Sequence, residues 1–491
     1  MRGWVSLLVL ALWAVGFAMP CRADIEWPNM VLILADDMAA EDCGPYGNAA
    51  VRTPNLDRLA KQGMRFDQAF LTCSSCSPSR ASIITSRYPH STGAQQLHWP
   101  LPADQVTFVE KLKEAGYWTA QAGKWHLGED IKPRFDVVHD ASTAGFSVAT
   151  KGAQAGAMVD KQDPSGCGAW VSTLRERPKG KPFFLWLAAL DPHRDYEENA
   201  IPEPHQPESV VVPPYLPDVP ETRRDLALYY DEITRLDGYL GQVLDELDKQ
   251  GVAENTIVMF ISDNGRPFPR CKTTVYDSGI RTPLIVRWPE KITPGGVCTS
   301  LVSSVDIGAT LLDVAGLSSP ESFQGQSFLS LLIHPDQPGR RFVYAEHNWH
   351  DYAAHERAVR DKRFKYIRNS YVDLTASPPA DAVRSPTYRA MQRLRDSRQL
   401  TPEQAACFVK PRPTEELYDV QNDPHELHNL AADPLYRVVV IALRKALDKW
   451  TRETKDRVPA VRTPDDFDRE TGQPLGELKR PRGPKSKDRT Y

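Results

Sequence analysis

The chain has 491 residues, a length that suits one large domain followed by a smaller one. Hydrophobic residues make up 41% and charged residues 25%, with a formal net charge of −4. This balance is that of an ordinary globular enzyme, and it excludes a basic protein whose partner is a nucleic acid.

Residues 1–23 have the features of a signal peptide. Arg2 provides a positive start, residues 5–17 form an almost unbroken apolar run, and Cys21-Arg22-Ala23 fits a cleavage site. A membrane anchor is the alternative, but the run is short for a spanning helix and no later segment is apolar enough. We therefore expect an exported protein without a stable membrane anchor, located in the periplasm, outside the cell or in a lysosome-type compartment.

Cysteine usage points to at least one unusual thiol. Cleavage after residue 23 would leave seven widely spaced cysteines: Cys43, Cys73, Cys76, Cys167, Cys271, Cys298 and Cys407. Because their number is odd, at least one of them is free, paired between chains or chemically altered.

Strand-like and helix-like segments alternate over the first two thirds of the chain. Four apolar runs have the length and composition of buried strands: residues 30–35, 183–188, 256–261 and 283–287. Helical patterns that end on glycine fall between them, at residues 55–63, 106–116 and 225–251. This alternation predicts a doubly wound α/β domain with a mostly parallel sheet and helices on both faces. Ligands bind such sheets beyond the carboxyl ends of the strands, where three of the runs meet polar residues.

The texture of the sequence changes after about residue 340. Residues 357–368 and 416–420 are typical of short strands, and a helical stretch at 388–398 lies in a proline-rich segment. Residues 466–491 are basic and rich in glycine and proline, which predicts disorder, with polyanion binding as the alternative. The predicted division is a signal peptide (1–23), a catalytic domain (24–345), a smaller domain with an antiparallel sheet and a helical insert (346–465), and a tail (466–491).

The densest chemical signal is the segment Cys76-Ser77-Pro78-Ser79-Arg80. Pro78 suits the first turn of a helix and Ser77 its N-cap, which places Cys76 just ahead of the helix. Free amides and the helix dipole favour an anion at that place, and Arg80 can point back to it. A cysteine before a helix is usually structural, so the argument for chemistry rests on the full CxPxR pattern.

Two strand ends carry oxygen ligands. Asp36 and Asp37 follow the first apolar run, and Asp263 and Asn264 follow the third. An Asp-Asp pair alone is more often a solvated turn, but carboxylate and amide oxygens from two strand ends suit Ca²⁺.

Together these segments resemble the type I sulfatase family, and the resemblance covers nearly all of the mature chain. In that family the signature cysteine is oxidised to formylglycine. One hydroxyl of the hydrated aldehyde attacks sulfur, and the other then expels sulfate. The resemblance implies an alkaline-phosphatase-like fold, a formylglycine made from Cys76 by a maturase, and Ca²⁺ held by Asp36, Asp37, Cys76, Asp263 and Asn264. The glycine that usually ends the signature helix is Ser86 here.

The resemblance also implies a set of sulfate contacts. Lys124 would hold the hydrate and a sulfate oxygen, and His126 would steady the proton of the hydrate. His193 and Lys272 match the remaining contacts, and Arg80 completes the set. Such cations neutralise charge on the transferred group while an acid protonates the leaving group.

Within the family, Asp191-Pro192-His193-Arg194 and the loop at 263–269 resemble enzymes that remove N-sulfate from heparan more than arylsulfatases. The expected substrate is therefore a sulfated glycan ending in N-sulfoglucosamine at its non-reducing end. Candidate sugar contacts are Asp191 and Arg194 from the first of these segments, and His347, His355 and Arg360 from the smaller domain. For each of the three from the smaller domain, a merely polar surface strand is an equal interpretation. An O-sulfatase, a phosphodiester or phosphonate hydrolase and a non-catalytic glycan-binding protein are the alternatives. The oligomeric state stays open, a homodimer included.

Overall fold

The computed structural model describes residues 27–141 and 163–476. The predicted signal peptide and residues 477–491 of the predicted tail lie outside the described residues. The N-terminal strands are β1 (Asn29–Ala35), β2 (Met64–Phe66), β3 (Ala69–Phe70), β4 (Trp118–Gly123), β5 (Val137–Asp140), β6 (Phe183–Ala188) and β7 (Thr256–Ser262). The later strands are β8 (Leu284–Arg287), β9 (Gly296–Cys298), β10 (Val302–Ser303), β11 (Val343–His347), β12 (Glu356–Arg360), β13 (Phe364–Asn369) and β14 (Glu415–Asp419).

The α-helices lie between these strands and after them. The first six are α1 (Pro54–Gln62), α2 (Cys76–Thr85), α3 (Phe108–Glu114), α4 (Trp170–Glu176), α5 (Pro220–Lys249) and α6 (Asp277–Ile280). The others are α7 (Asp306–Val314), α8 (Leu329–Ile333), α9 (Ala380–Val383), α10 (Pro386–Asp396), α11 (Pro402–Ala405) and α12 (Arg437–Glu453). The three helices predicted from periodicity are therefore present as α1, α3 and α5.

The main sheet of the described residues has the strand order β5-β4-β6-β1-β7-β8-β2-β9. The neighbours β4, β6, β1 and β7 run parallel, so their carboxyl ends share one edge. Strand β8 is antiparallel to β7, so the last of the four apolar runs is the antiparallel member of the predicted mostly parallel sheet. An apolar run reports burial on both faces and not strand direction. The predicted mostly parallel, alkaline-phosphatase-like α/β architecture is confirmed.

The sheet is buried on both faces. Alternate residues of β1 enter different apolar clusters: Met30, Leu32 and Leu34 join one, and Val31 and Ile33 join the other. Side chains alternate across a strand, so a strand covered on both faces must be apolar at every position. This double burial explains the continuous apolar runs of the sequence.

The smaller sheet is antiparallel, in the order β11-β12-β13-β14. Its first strand spans Val343–His347, so the predicted domain boundary after residue 345 falls inside a strand and belongs earlier in the chain. Residues 466–476 are not disordered as predicted, because Phe467 is buried and bridges to Pro474. An apolar residue that packs against a core was overlooked among the polar residues of the tail.

All seven cysteines among the described residues are buried and unpaired in disulfides. No helix in the described part of the chain has both the length and the apolar character needed to span a membrane.

Candidate active site

The polar ends of four parallel strands meet at one edge of the main sheet. Backbone hydrogen bonds continue past the strands: Asp36 N donates to Asp191 O at 2.9 Å, and Asp263 N donates to Ala35 O at 3.1 Å. Lys124 N likewise donates to Ala188 O at 2.9 Å. The segments after β1, β4, β6 and β7 are therefore fixed relative to one another by the sheet itself, which places the candidate site where such folds bind ligands.

Glycine is required where β4 ends. Gly123 has φ +96°, and a Cβ added to it would lie 1.8 Å from the carbonyl oxygen of Ala188. A side chain at this position would force β4 away from β6 and move Lys124, so this close approach sets the place of the next residue.

Helix α2 begins at Cys76 itself, with Ser75 as the N-cap, which corrects the prediction that Ser77 caps the helix. The Ser77 hydroxyl instead accepts a hydrogen bond from His98 N at 2.8 Å. Cys76 therefore lies in the first turn, where backbone N–H groups are not used within the helix. The helix ends at Ser86, whose φ of +53° is left-handed and whose hydroxyl donates to Val305 O. That hydrogen bond ties the strained cap to a neighbouring segment.

Cys76 is buried at the centre of the site. Its Sγ lies 3.8 Å from Asp36 Oδ1 and accepts a hydrogen bond from Asn264 Nδ2 at 3.3 Å. Burial raises the pKa of this thiol, but the Lys124 and Lys272 ammonium groups outweigh burial and lower the pKa to about 6. The environment therefore stabilises a negative charge at this position.

Three carboxylates surround the same place. Asp36, Asp37 and Asp263 are fully buried, and each offers an oxygen within 4.8 Å of the others. Asn264 Oδ1, also buried, has no hydrogen-bond partner among the described residues. Burial raises the pKa of Asp37 to about 7, which marks a carboxylate that lacks full compensation. A cluster of hard oxygen atoms with one unused amide oxygen fits Ca²⁺.

Three cationic side chains face this cluster. Arg80 Nε binds Asp263 Oδ2 at 2.7 Å, Lys272 Nζ binds Asp37 Oδ2 at 2.6 Å, and Lys124 Nζ binds Asp36. All three cations are buried, and Arg80 Nη2 has no partner within the described part of the chain. The site therefore holds positive groups ready for an anion beside the carboxylates.

The two predicted histidines differ in protonation. The Nδ1–H of His193 donates to Arg194 O, so its Nε2 faces the site, 3.9 Å from Asp37 Oδ2. Burial lowers the pKa of His193, but the carboxylates of Asp37 and Asp36 raise it to about 9. Burial, together with the nearby Lys124, holds the pKa of His126 well below its usual value, so this ring is neutral.

Two residues that the sequence did not single out also reach the site. Asp381 in α9 lies with Oδ2 3.8 Å from His193 Nε2, and its side chain is 19% exposed. His98 Nδ1 lies 2.7 Å from His126 Nε2. Asp381 belongs to a proline-rich segment without a motif, and only the fold brings it to the strand ends.

Three of the predicted sugar contacts are instead internal ion pairs, which corrects those assignments. Arg194 binds both oxygens of Asp225, at 2.7 and 2.9 Å, and Asp191 accepts two hydrogen bonds from Arg235. Arg360 binds the buried Asp277 at 3.2 Å. Their polar groups are used inside the protein, because a buried charge requires a partner there.

His347 and His355 line a cavity of about 20 Å³, which has room for roughly one water molecule and not for a sugar. Burial lowers the pKa of His347 to about 4 and that of His355 to about 3, so both rings are neutral. His355 also lines a larger neighbouring cleft, to which His347 does not extend.

Comparison with known proteins agrees with this geometry. A family model described as sulfatase matches residues 28–317, and the chain belongs to the sulfatase family. It is therefore a hydrolase of sulfate esters. A second model, described as the C-terminal region of N-sulphoglucosamine sulphohydrolase, matches residues 270–386.

Curated relatives cover most of the chain. An ulvan-active sulfatase of Formosa agariphila is 32% identical over 467 residues, covering 87% of this chain and 75% of the relative. Human N-sulphoglucosamine sulphohydrolase is 31% identical over 490 residues, covering 91% of this chain and 93% of the relative. The two relatives differ in what their names say they act on, so identity alone leaves the glycan undecided.

Solved structures share the fold. One, a complex with D-glucosamine-2-N,6-O-disulfate as its substrate, has a TM-score of 0.68 at 21% identity, covering 88% of this chain and 99% of the other. The phosphonate monoester hydrolase of Agrobacterium radiobacter has a TM-score of 0.62 at 20% identity, covering 87% and 96%.

Proposed function

We propose that this sulfatase removes the N-sulfo group of glucosamine at the non-reducing end of a sulfated glycan, using a formylglycine made from Cys76 and a bound Ca²⁺. The observation that carries the proposal is the position of Cys76, at the first turn of α2 and between buried cations and carboxylates. A formylglycine there would supply a hydrated aldehyde as the nucleophile. Its formation requires a maturase.

The oxygen ligands for Ca²⁺ would come from Asp36, Asp37, Asp263 and Asn264, together with the converted residue 76. Asp37 has φ +76° and is therefore held in a left-handed conformation that turns the chain sharply after β1. Asp adopts this conformation more readily than most residues, and such conformations cluster at functional sites. The positive charge of the bound cation would add to that of Arg80, Lys124 and Lys272 in compensating the negative charge of the three carboxylates.

The cationic side chains would bind the sulfo group. Lys124 and Lys272 approach from the β4 and β7 sides of the site, and Arg80 approaches from α2. Such fixed charges stabilise the negative oxygens of the transferred group without reorganising during the reaction. His193 would donate the proton to the leaving nitrogen, because its Nε2 faces the site while Nδ1 is held by Arg194 O.

The position of Asp381 supports an N-sulfated substrate over an O-sulfated one. A sulfamate leaves as an amine, which gains positive character as it is protonated, and a carboxylate beside His193 stabilises that charge. The 31% identity to human N-sulphoglucosamine sulphohydrolase over 91% of this chain adds support. The runner-up is an O-sulfatase, favoured by the ulvan-active relative of similar identity. The fold shared with a phosphonate monoester hydrolase makes a phosphonate ester the third candidate.

The test is hydrolysis of a panel of defined compounds by protein co-expressed with a maturase, with sulfate release measured for the sulfated compounds and alcohol release for the phosphonate ester. The panel contains N-sulfoglucosamine, glucosamine 6-sulfate, a sulfated ulvan disaccharide and a phosphonate ester. We expect the highest kcat/KM with N-sulfoglucosamine and no turnover by Cys76→Ala. Mass spectrometry of the peptide around residue 76 should show the aldehyde. Rapid cleavage of an O-sulfate with none of N-sulfoglucosamine would reject the substrate, and full activity with unmodified Cys76 would reject the mechanism.

A further inference from the structure

A cleft of about 250 Å³ lies between the segment at residues 90–99 and the smaller domain. Its lining includes Trp99, Trp349, Tyr371, His355, Lys455 and Arg457. It is far larger than the neighbouring cavity of about 20 Å³ and has room for groups bigger than water.

The cleft adjoins the candidate active site through one short segment. Gln95, Gln96 and Trp99 line the cleft, whereas Leu97 between them packs in one apolar cluster with Cys76. The next residue, His98, contacts His126 at 2.7 Å. Consecutive Cα atoms are about 3.8 Å apart, so a ligand in the cleft lies within a few residues' length of the reacting group.

The charge of the cleft is positive. Asp456 is engaged by Arg357 through two hydrogen bonds of 2.6 and 2.7 Å, which neutralises both. Lys455 and Arg457 on either side of it are exposed, and neither has an acidic partner within the part of the chain that the structure describes. The partly exposed ring of Trp99 adds a flat apolar surface. Cations beside an aromatic face suit a sugar that carries carboxylate or sulfate groups.

We propose that this cleft binds the anionic sugars that follow the reacting residue in a polysaccharide chain. The proposal deepens the proposed function: the terminal sugar occupies the site at Cys76, and the next sugars lie along Trp99 toward Lys455 and Arg457. The enzyme would therefore recognise a chain and not only its terminal residue.

Binding to the inactive Cys76→Ala protein tests this directly by calorimetry. The ligands are a heparan-derived tetrasaccharide, an ulvan-derived tetrasaccharide and N-sulfoglucosamine, and the two tetrasaccharides distinguish the sources of the anionic chain. Adding Lys455→Ala and Arg457→Ala should weaken binding of at least one tetrasaccharide about tenfold, since two exposed ionic contacts are lost. The monosaccharide should lose far less affinity. Trp99→Ala should reproduce the same dependence on chain length.

The matched control is Lys445→Ala with Arg452→Ala, which removes two exposed cations of α12 that do not line the cleft. The control pair should leave tetrasaccharide binding unchanged, which separates a local contact from the overall charge. Equal losses for the two pairs, or for mono- and tetrasaccharide, would overturn the proposal. If binding depends on the length of the saccharide but the matured enzyme releases no sulfate from the panel, the proposed reaction is rejected and the proposed binding role of the cleft is retained.

Discussion

At the scale of single residues, the proposed preference for a nitrogen leaving group depends on the carboxylate of Asp381, 3.8 Å from His193 Nε2. Asp381→Asn removes the charge yet keeps Oδ1, which accepts a hydrogen bond from Ala382 N at 2.6 Å. We expect kcat/KM for N-sulfoglucosamine to fall roughly ten- to hundredfold, as expected for the loss of a charge-assisted contact. Hydrolysis of an aryl sulfate should change little.

The control for this prediction is Asp381→Glu, which restores the charge and should recover part of the activity. Equal losses with both substrates, without recovery in Asp381→Glu, would assign Asp381 to general support of the site.

Arg194 stabilises the folded protein through contacts inside it, and its guanidinium is not available to bind a sugar. Its ion pair with Asp225 is buried, and its Nε also donates to Pro267 O at 2.8 Å. Arg194→Ala leaves Asp225 buried without its main partner, and we expect a loss of about 3–5 kcal/mol in the free energy of unfolding. Urea denaturation measures it.

Arg223→Ala is the matched control, because this arginine of α5, the helix that also carries Asp225, binds the exposed Asp218 just before the helix begins. Its effect should be much smaller. A normal unfolding midpoint for Arg194→Ala, with a raised KM, would return Arg194 to the substrate pocket.

At the scale of elements, the proposed Ca²⁺ joins the carboxyl ends of the neighbouring strands β1 and β7. Because such a cation would bind only the folded chain, Ca²⁺ at about 100 times its Kd should add about 2.7 kcal/mol to the free energy of unfolding. Asp37→Ala should abolish both this stabilisation and the calcium found by elemental analysis.

Mg²⁺ provides the control ion, since it demands a tighter octahedral geometry and should stabilise less. Full calcium occupancy in Asp37→Ala protein would contradict the assigned ligands.

Elements were predictable from the sequence where burial on both faces leaves an apolar run, as in β1, β6 and β7. Strand β4 (Trp118–Gly123) was missed because threonine, glutamine and glycine interrupt its pattern. The start of α2 was misplaced by the proline and serines of the signature, each of which fits several positions in a first turn.

At the scale of the whole molecule, the strand-end rule brings Asp36, His193 and Asp263 together, as the sequence had predicted for the ends of its apolar runs. Lys124 joins them at the end of β4 and was expected only from the family resemblance. Asp381 and the cleft could not be predicted, because they come from packing the smaller domain against the main sheet. Arg194 and Arg360 were assigned to sugar contacts because their ion-pair partners, too, are brought close only by the fold. Nothing in the sequence distinguishes an arginine that faces a sugar from one whose partner, like Asp225 for Arg194, lies in a distant helix.

The burial of α2 also constrains the biosynthesis of the enzyme. Every residue from Cys76 to Arg80 is buried beneath loops that arise far apart in the chain, Leu97 and Trp349 among them. Another enzyme cannot reach the side chain of Cys76 once these contacts exist. The proposed conversion of Cys76 must therefore take place while the chain is still unfolded. A molecule that folds before modification would keep an inactive thiol at position 76 until it unfolds again. The yield of active enzyme would therefore depend on the rate of modification relative to the rate of folding.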